Sequence, residues 1–206
     1  FHVWVEDVFS IRGAGTVVTG IPTRGVVRVG DRLCAIPGDR SGRVRQLQVY
    51  GEDAAEGRAG ECVALNLADL EHEAIRRGMA LSEPDRIMPV ALVEAELRLL
   101  PSAACEVKDY AEVHLHIGTA ALLARVALLE RPRLEPGQKQ MVQLRLAQPL
   151  GLASGQRFVI RASDRGEDLG GLTTVGGGRI LGVSNVRLRR NKPWTLEALA
   201  ARRDAL

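Results

Sequence analysis

The chain has 206 residues, a net charge of +3, 46% apolar side chains and only 3% aromatics, enough for one large core or two small ones built from Val, Ile and Leu. Arginine far outnumbers lysine, which suits planar contacts to phosphate, but the small net charge makes a salt-bridged surface the simpler account. Three cysteines, Cys34, Cys62 and Cys105, are odd in number and far apart, which excludes a disulfide framework and a metal-ligand spacing and points to a reducing, cytoplasmic setting. No apolar run is long enough for a membrane helix, and no signal peptide is evident.

The chain opens at Phe1, inside an apolar run and without methionine, and so reads as a segment of a longer protein. GAGTVVTG (13–20) follows. A nucleotide-binding loop of the GxxxxGK[ST] kind needs a lysine for the terminal phosphates, and none is present. A GxGxxG fingerprint needs glycine where Val18 stands, and no helix follows to offer its positive end. The expectation is architectural: Gly13 and Gly15 relieve side-chain crowding where a strand bends, and TVVTG continues as a strand.

Beyond it, alternating or continuous apolar runs recur about every ten residues. They are RVRQLQV (43–49), ECVALNL (61–67), VALVEAELRLL (90–100), EVHLHI (112–117), LLARVALLE (122–130), MVQLRL (141–146) and RFVIRA (157–162), separated by turn signals such as VGD, IPGDRSG and EPGQ. This pattern predicts an all-β protein of sandwich or barrel type. Two stretches read as helical. DLEHEAIRRG (69–78) predicts a turn or so stopped by Gly78, and TLEALAARRDAL (195–206) predicts a helix with Thr195 as its N-cap. Pro84 and Pro89 in LSEPDRIMPV (81–90) mark a boundary, giving segments 1–86 and 87–186 and a basic connector with a helix start at 187–206.

His114 and His116, two apart on one strand, share a face and could hold a metal, but no third ligand is identifiable. A solvent-facing or nucleic-acid-facing strand is the preferred reading. NKPW (191–194) is similar to the guanine-reading NKxD but lacks its aspartate. No Ser/His/Asp or Cys/His constellation assembles, so no catalytic residue is assigned.

Two longer stretches, VEDVFSIRGAGTVVTGIPTRGVVRVGD (5–31) and AEGRAGECVALNLADLEHEAIRRGMAL (55–81), resemble the second domain of EF-Tu-type translational GTPases. VHLHIGTAALLARVALLE (113–130), VQLRLAQPLGLASGQRFVIR (142–161) and TTVGGGRILGV (173–183) resemble the third domain of SelB, the selenocysteine-specific elongation factor family. The resemblance implies two tandem six-stranded-type β-barrels and a short C-terminal helix, with no catalysis in this segment. GTP and magnesium would belong to a GTPase domain outside it. The implied partners are an aminoacyl-tRNA, expected to be selenocysteinyl-tRNA, the ribosome, and an mRNA hairpin held by winged-helix domains elsewhere; no membrane is implied.

By the same resemblance, Glu6, Asp7 and Cys62 face the aminoacyl group, while Gln48, Tyr50 and Arg58 match positions near the terminal adenosine and ester. Strand alternation adds Arg125, Gln143 and Arg145 as candidates for the tRNA stem. The chain departs from SelB where that family usually has basic residues, at Asp7 and Cys62, and its Glu-Asp pair is EF-Tu-like. Two cargo readings stay open: selenocysteine recognised by other means, or a different aminoacyl group. A third reading is a barrel module that docks only onto a GTPase domain.

Overall fold

The computed structural model describes residues 1–11, 15–163 and 171–206. Its first half contains β1 (His2–Trp4), β2 (Asp7–Ile11), β3 (Gly15–Gly20), β4 (Pro22–Arg24), β5 (Val26–Arg28), β6 (Arg32–Ile36), β7 (Ser41–Val49), β8 (Glu52–Asp53), β9 (Glu56–Arg58), β10 (Val63–Ala68) and β11 (Ala80–Ser82). The second half contains β12 (Pro89–Leu99), β13 (Val107–Lys108), β14 (Ala111–Ile117), β15 (Ala120–Leu128), β16 (Arg133–Leu134), β17 (Lys139–Gly151), β18 (Arg157–Ser163), β19 (Leu172–Ser184) and the helix α1 (Pro193–Asp204). The chain divides into two compact units, Phe1–Pro89 with Leu150–Leu152, and Val90–Pro149 with Ala153–Leu206. The fold is all-β apart from α1 and one short 3₁₀ turn, and no helix among the described residues is long and apolar enough to cross a membrane.

In the first unit the hydrogen-bonded path runs β2-β3-β10-β7-β6-β11-β1-β4, with β8 added on β7, and β5 and β9 form a separate two-stranded ribbon. Inward side chains of nearly every strand, among them Val3, Val18, Val27, Leu33, Leu47, Leu65 and Leu81, meet in one buried cluster. Arg45 is the extra residue of a bulge in β7, because Asn66 faces Gln46 while Leu67 already faces Val44. That bulge sharpens the twist that wraps the sheet about its core. β2 ends the path, and its Phe9 and Ile11 are 40% and 47% exposed.

The glycines of the opening stretch have different reasons from those expected. Gly13 lies outside the described residues. Gly15 is not crowded: an added Cβ would meet only the Leu67 carbonyl oxygen, at 3.9 Å, but its φ of +95° is one that a side chain resists. The crowding falls at Gly20, where an added Cβ would sit 2.3 Å from the Trp4 carbonyl oxygen.

The second unit holds a closed barrel in the order β12-β17-β15-β14-β18-β19, and β13 pairs β16 beside it. Alternation writes it plainly in β14, where Val113, Leu115 and Ile117 are buried and Glu112, His114 and His116 stand on the other side. The segment 187–206, read as a separate connector and helix start, packs onto this barrel. Leu199 of α1 is buried with Leu129, Met141 and Leu181, flanked by Leu188 and Leu196. Arg202 pairs with the buried Glu94 of β12, and Arg203 lies 3.7 Å from Glu96. The helix begins at Pro193 rather than at a threonine cap: Lys192 flanks it without a side-chain bond, and Pro193 occupies the first turn, where its fixed φ and missing N–H are harmless. Thr195 is inside the helix. The other helical expectation shrinks to His72–Ala74, a single 3₁₀ turn.

Candidate nucleic-acid interface

Five strands of the first unit place one residue each on a transverse row: Asp7 opposite Thr19, Thr19 opposite Ala64, Ala64 opposite Gln48, and Gln48 opposite Asp53. The neighbouring row, Val8, Val18, Leu65 and Leu47, points into the core, so Asp7 and Gln48 share the outer face. Three strand spacings separate them, about 14 Å. The Gln48 and Gln46 amides each donate to Asp53 Oδ1 at 3.0 Å, and these two bonds hold the Asp53 carboxyl below its ordinary range. Asp7 accepts from its neighbour, the Val8 N–H, at 2.9 Å.

At the end of the same face, the Tyr50 N–H donates to the Cys62 carbonyl at 2.9 Å, which sets these two candidates side by side. Tyr50 and Gly51 both have positive φ, 52° and 88°, in the two-residue turn between β7 and β8. A primed turn of this kind favours Asn-Gly, and a tyrosine in its first central position is unusual. The ring is 70% exposed. Cys62 is exposed too.

Glu6 and Arg58 are engaged otherwise. Arg77 Nη1 donates to the Glu6 main-chain oxygen at 2.7 Å and to Glu6 Oε1 at 2.5 Å, so the acidic position beside Asp7 carries a guanidinium partner from the loop after the 3₁₀ turn. Arg58 sits on the β5–β9 ribbon, opposite Val26, with its guanidinium on Glu56. That bond first, with the charge of Arg58, holds the Glu56 carboxyl low and raises Arg58 in turn. The spacing Glu56-x-Arg58 on one strand face was the available signal for this pairing; Arg77, distant in sequence from Glu6, left none.

In the second unit, Arg125 and Arg145 face each other across β15 and β17, as strand alternation requires. They line a groove of about 360 Å³ together with Tyr110, Glu112, Leu123 and Arg187. Arg125 pairs with Glu112 at 3.6 Å. Arg145 stacks its guanidinium 4.7 Å from the centre of the Tyr110 ring and donates from Nη2 to the Tyr110 hydroxyl at 3.1 Å. Gln143 does not join them. It is fully buried, donating from Nε2 to the Val186 carbonyl at 2.8 Å and accepting at Oε1 from the Leu188 N–H at 3.1 Å. The segment that covers it lies more than forty residues away in sequence, which strand alternation does not register.

His114 and His116 stand on the outer face of β14, with His114 opposite Arg161 of β18. Desolvation, then the charges of Arg161 and His114, lowers the His116 pKa. Among the described residues no three His, Cys, Asp or Glu side chains converge as a metal site. NKPW is spent on structure: the Asn191 N–H caps the Leu129 carbonyl at 2.9 Å, and the Lys192 ammonium lies 5.4 Å from the Trp194 ring centre.

Comparison with known proteins follows the same division of the chain. A family model described as elongation factor Tu domain 2 matches residues 15–82, and one described as the β-barrel domain of selenocysteine-specific elongation factor matches residues 94–185. The selenocysteine-specific elongation factor of Desulfomicrobium baculatum is 36% identical over 203 residues, 98% of this chain and 31% of that protein. That of Escherichia coli (strain K12) is 30% identical over 202 residues, 98% of this chain and 30% of that protein. Elongation factor Tu 2 of Streptomyces avermitilis is 32% identical over 179 residues, 85% of this chain and 46% of that protein. The chain thus spans under a third of the length of the selenocysteine-specific relatives.

Proposed function

We propose, from the premise that this chain belongs to the selenocysteine-specific elongation factor family and carries its EF-Tu-like domain 2 and SelB β-barrel in tandem, that it is the part of such a factor that holds aminoacyl-tRNA. In this reading the first unit receives the aminoacylated 3′ end on the face bearing Asp7, Gln48, Tyr50 and Cys62, and the second unit holds the acceptor and T stems. The chain breaks no bond itself. GTP and magnesium are bound by another domain of the whole factor, and the ribosome and an mRNA hairpin are met through the assembled protein.

The observation that carries this is Tyr50. A solvent-facing aromatic ring held in a left-handed backbone gains nothing for the fold, whereas it offers a stacking platform to an unpaired base. A second cargo reading has its own support: Asp7 stands exposed where an anionic selenolate would meet repulsion, so a different aminoacyl group fits equally well. Nitrocellulose retention of the whole GTP-loaded factor with selenocysteinyl-, seryl- and an unrelated elongator tRNA tests both. Selective retention of selenocysteinyl-tRNA is the expected outcome, indifference moves the assignment to the broader cargo, and no retention of any tRNA rejects tRNA binding.

A further inference from the structure

The groove of the second unit has a construction that sequence reading did not reach. Three guanidinium groups, those of Arg125, Arg145 and Arg187, line it against one carboxylate, Glu112. Arg125 is matched to that carboxylate. Arg145 is held rigidly instead, with Tyr110 supplying a ring face and a hydroxyl, while its buried Nε has no acceptor among the described residues. Tyr110 reaches that position through a left-handed backbone, φ 63°. Arg187 is exposed and belongs to no ion pair or hydrogen bond among the described residues. Its main chain is nevertheless fixed, because the buried Gln143 amide binds the carbonyl before it and the N–H after it.

Resting on the tRNA-holding reading above, we infer that this groove is a phosphodiester site for the RNA backbone, with Arg145 and Arg187 as its donors and Gln143 as the residue that positions Arg187. A flexible arginine gives up side-chain and main-chain freedom on binding an anion. Here the main chain on either side of Arg187 and the plane of Arg145 are set beforehand, so less ordering accompanies the contact. Two cations without a carboxylate partner, beside an aromatic ring, fit a phosphodiester strand flanked by sugar and make a poor site for an apolar or cationic ligand. Glu112 restrains the site by occupying Arg125.

The test is tRNA affinity as a function of salt for the GTP-loaded factor carrying single and double variants. Arg187→Ala, at an exposed position without a hydrogen bond or ion pair among the described residues, is expected to weaken binding roughly tenfold and to reduce the salt slope by about one, equally for every tRNA that binds. Gln143→Ala is expected to reproduce that loss and to add nothing in the Arg187→Ala background. Glu112→Gln, which frees Arg125, is expected to tighten binding. Unchanged affinity and slope for Arg187→Ala overturn the site, even if Gln143→Ala fails to fold. A Gln143→Ala loss of the same size with and without Arg187 overturns the positioning role. A factor whose binding responds to Tyr50→Ala but not to Arg187→Ala keeps the proposed function and loses this inference; one that binds no tRNA loses both.

Discussion

Tyr50 sets stability against recognition within a single residue. A non-glycine residue in the left-handed region costs about 1 kcal/mol or more, and asparagine tolerates it best. Tyr50→Asn is therefore expected to raise the urea midpoint by an amount equivalent to roughly 1 kcal/mol. It is expected to cost tRNA binding roughly 1–3 kcal/mol through the lost stacking platform. Lower stability together with unchanged binding would show that the ring serves the fold of the first unit. The identity of Tyr50 as a candidate was legible from its matched position, but its exposure was not, because the Tyr-Gly pair lacks the Asn-Gly signature by which such turns are usually read. The engagement of Glu6 by Arg77 and the burial of Gln143 were illegible for another reason: both depend on partners brought from remote segments, which no local period encodes.

At the scale of elements, strands whose two faces differ were the readable ones. β14 alternates without a fault, and its register opposite β15 follows. β7 is harder, since the bulge at Arg45 shifts the alternation midway. The start of α1 could have been read from Pro193, whose place in a first turn outweighs a threonine two residues later. The docking of that helix could not, because it turns on Glu94, an acidic residue in the middle of an apolar strand. Burial raises the Glu94 carboxyl above its ordinary 4.5, outweighing the stabilising charge of Arg202. With the folded value above the unfolded one, the contribution of this group is fully present below pH 4.5 and is lost as pH rises through the raised value. Glu94→Gln is expected to flatten that part of the stability–pH curve and to leave the neutral-pH midpoint unchanged or higher, since a desolvated carboxylate is removed and the half-exposed Arg202 stays hydrated. Stability profiles of the two proteins between pH 4 and 8 decide it; a steeper curve for the variant counts against it.

For the whole molecule, the net charge of +3 is too weak to gather RNA by itself, so affinity rests on how a few cations are placed. Acid sensitivity is likewise local. Each unit contains a histidine held toward its neutral form: His2 mainly by burial, and His116 by burial followed by Arg161 and His114. Folded values below the ordinary 6.5 of histidine mean that this contribution to stability is complete above 6.5 and is lost as pH falls toward the lowered values. Asp53 and Glu56, held low by their donors, give way only at more acidic pH, below 3.8 and 4.5 respectively. Glu94 acts in the opposite sense over part of this range, so the histidine effect is read in the Glu94→Gln background. Its denaturant midpoint is expected to drop between roughly pH 7.5 and 5.5, with a smaller drop once His116→Gln is added, and an equal drop would assign the effect elsewhere.

β2 carries a consequence of another kind. A terminal strand with Phe9 and Ile11 exposed sets apolar side chains beside a sheet edge, where Val8 is already engaged by Asp7 Oδ1 at its N–H and by His72 Nε2 at its carbonyl. Exposed apolar side chains at an edge are a combination from which chains template one another in crowded solution. Turbid, fibril-seeding preparations at high concentration should originate there, and a lysine at position 9 or 11 is the smallest change that would keep such stocks clear.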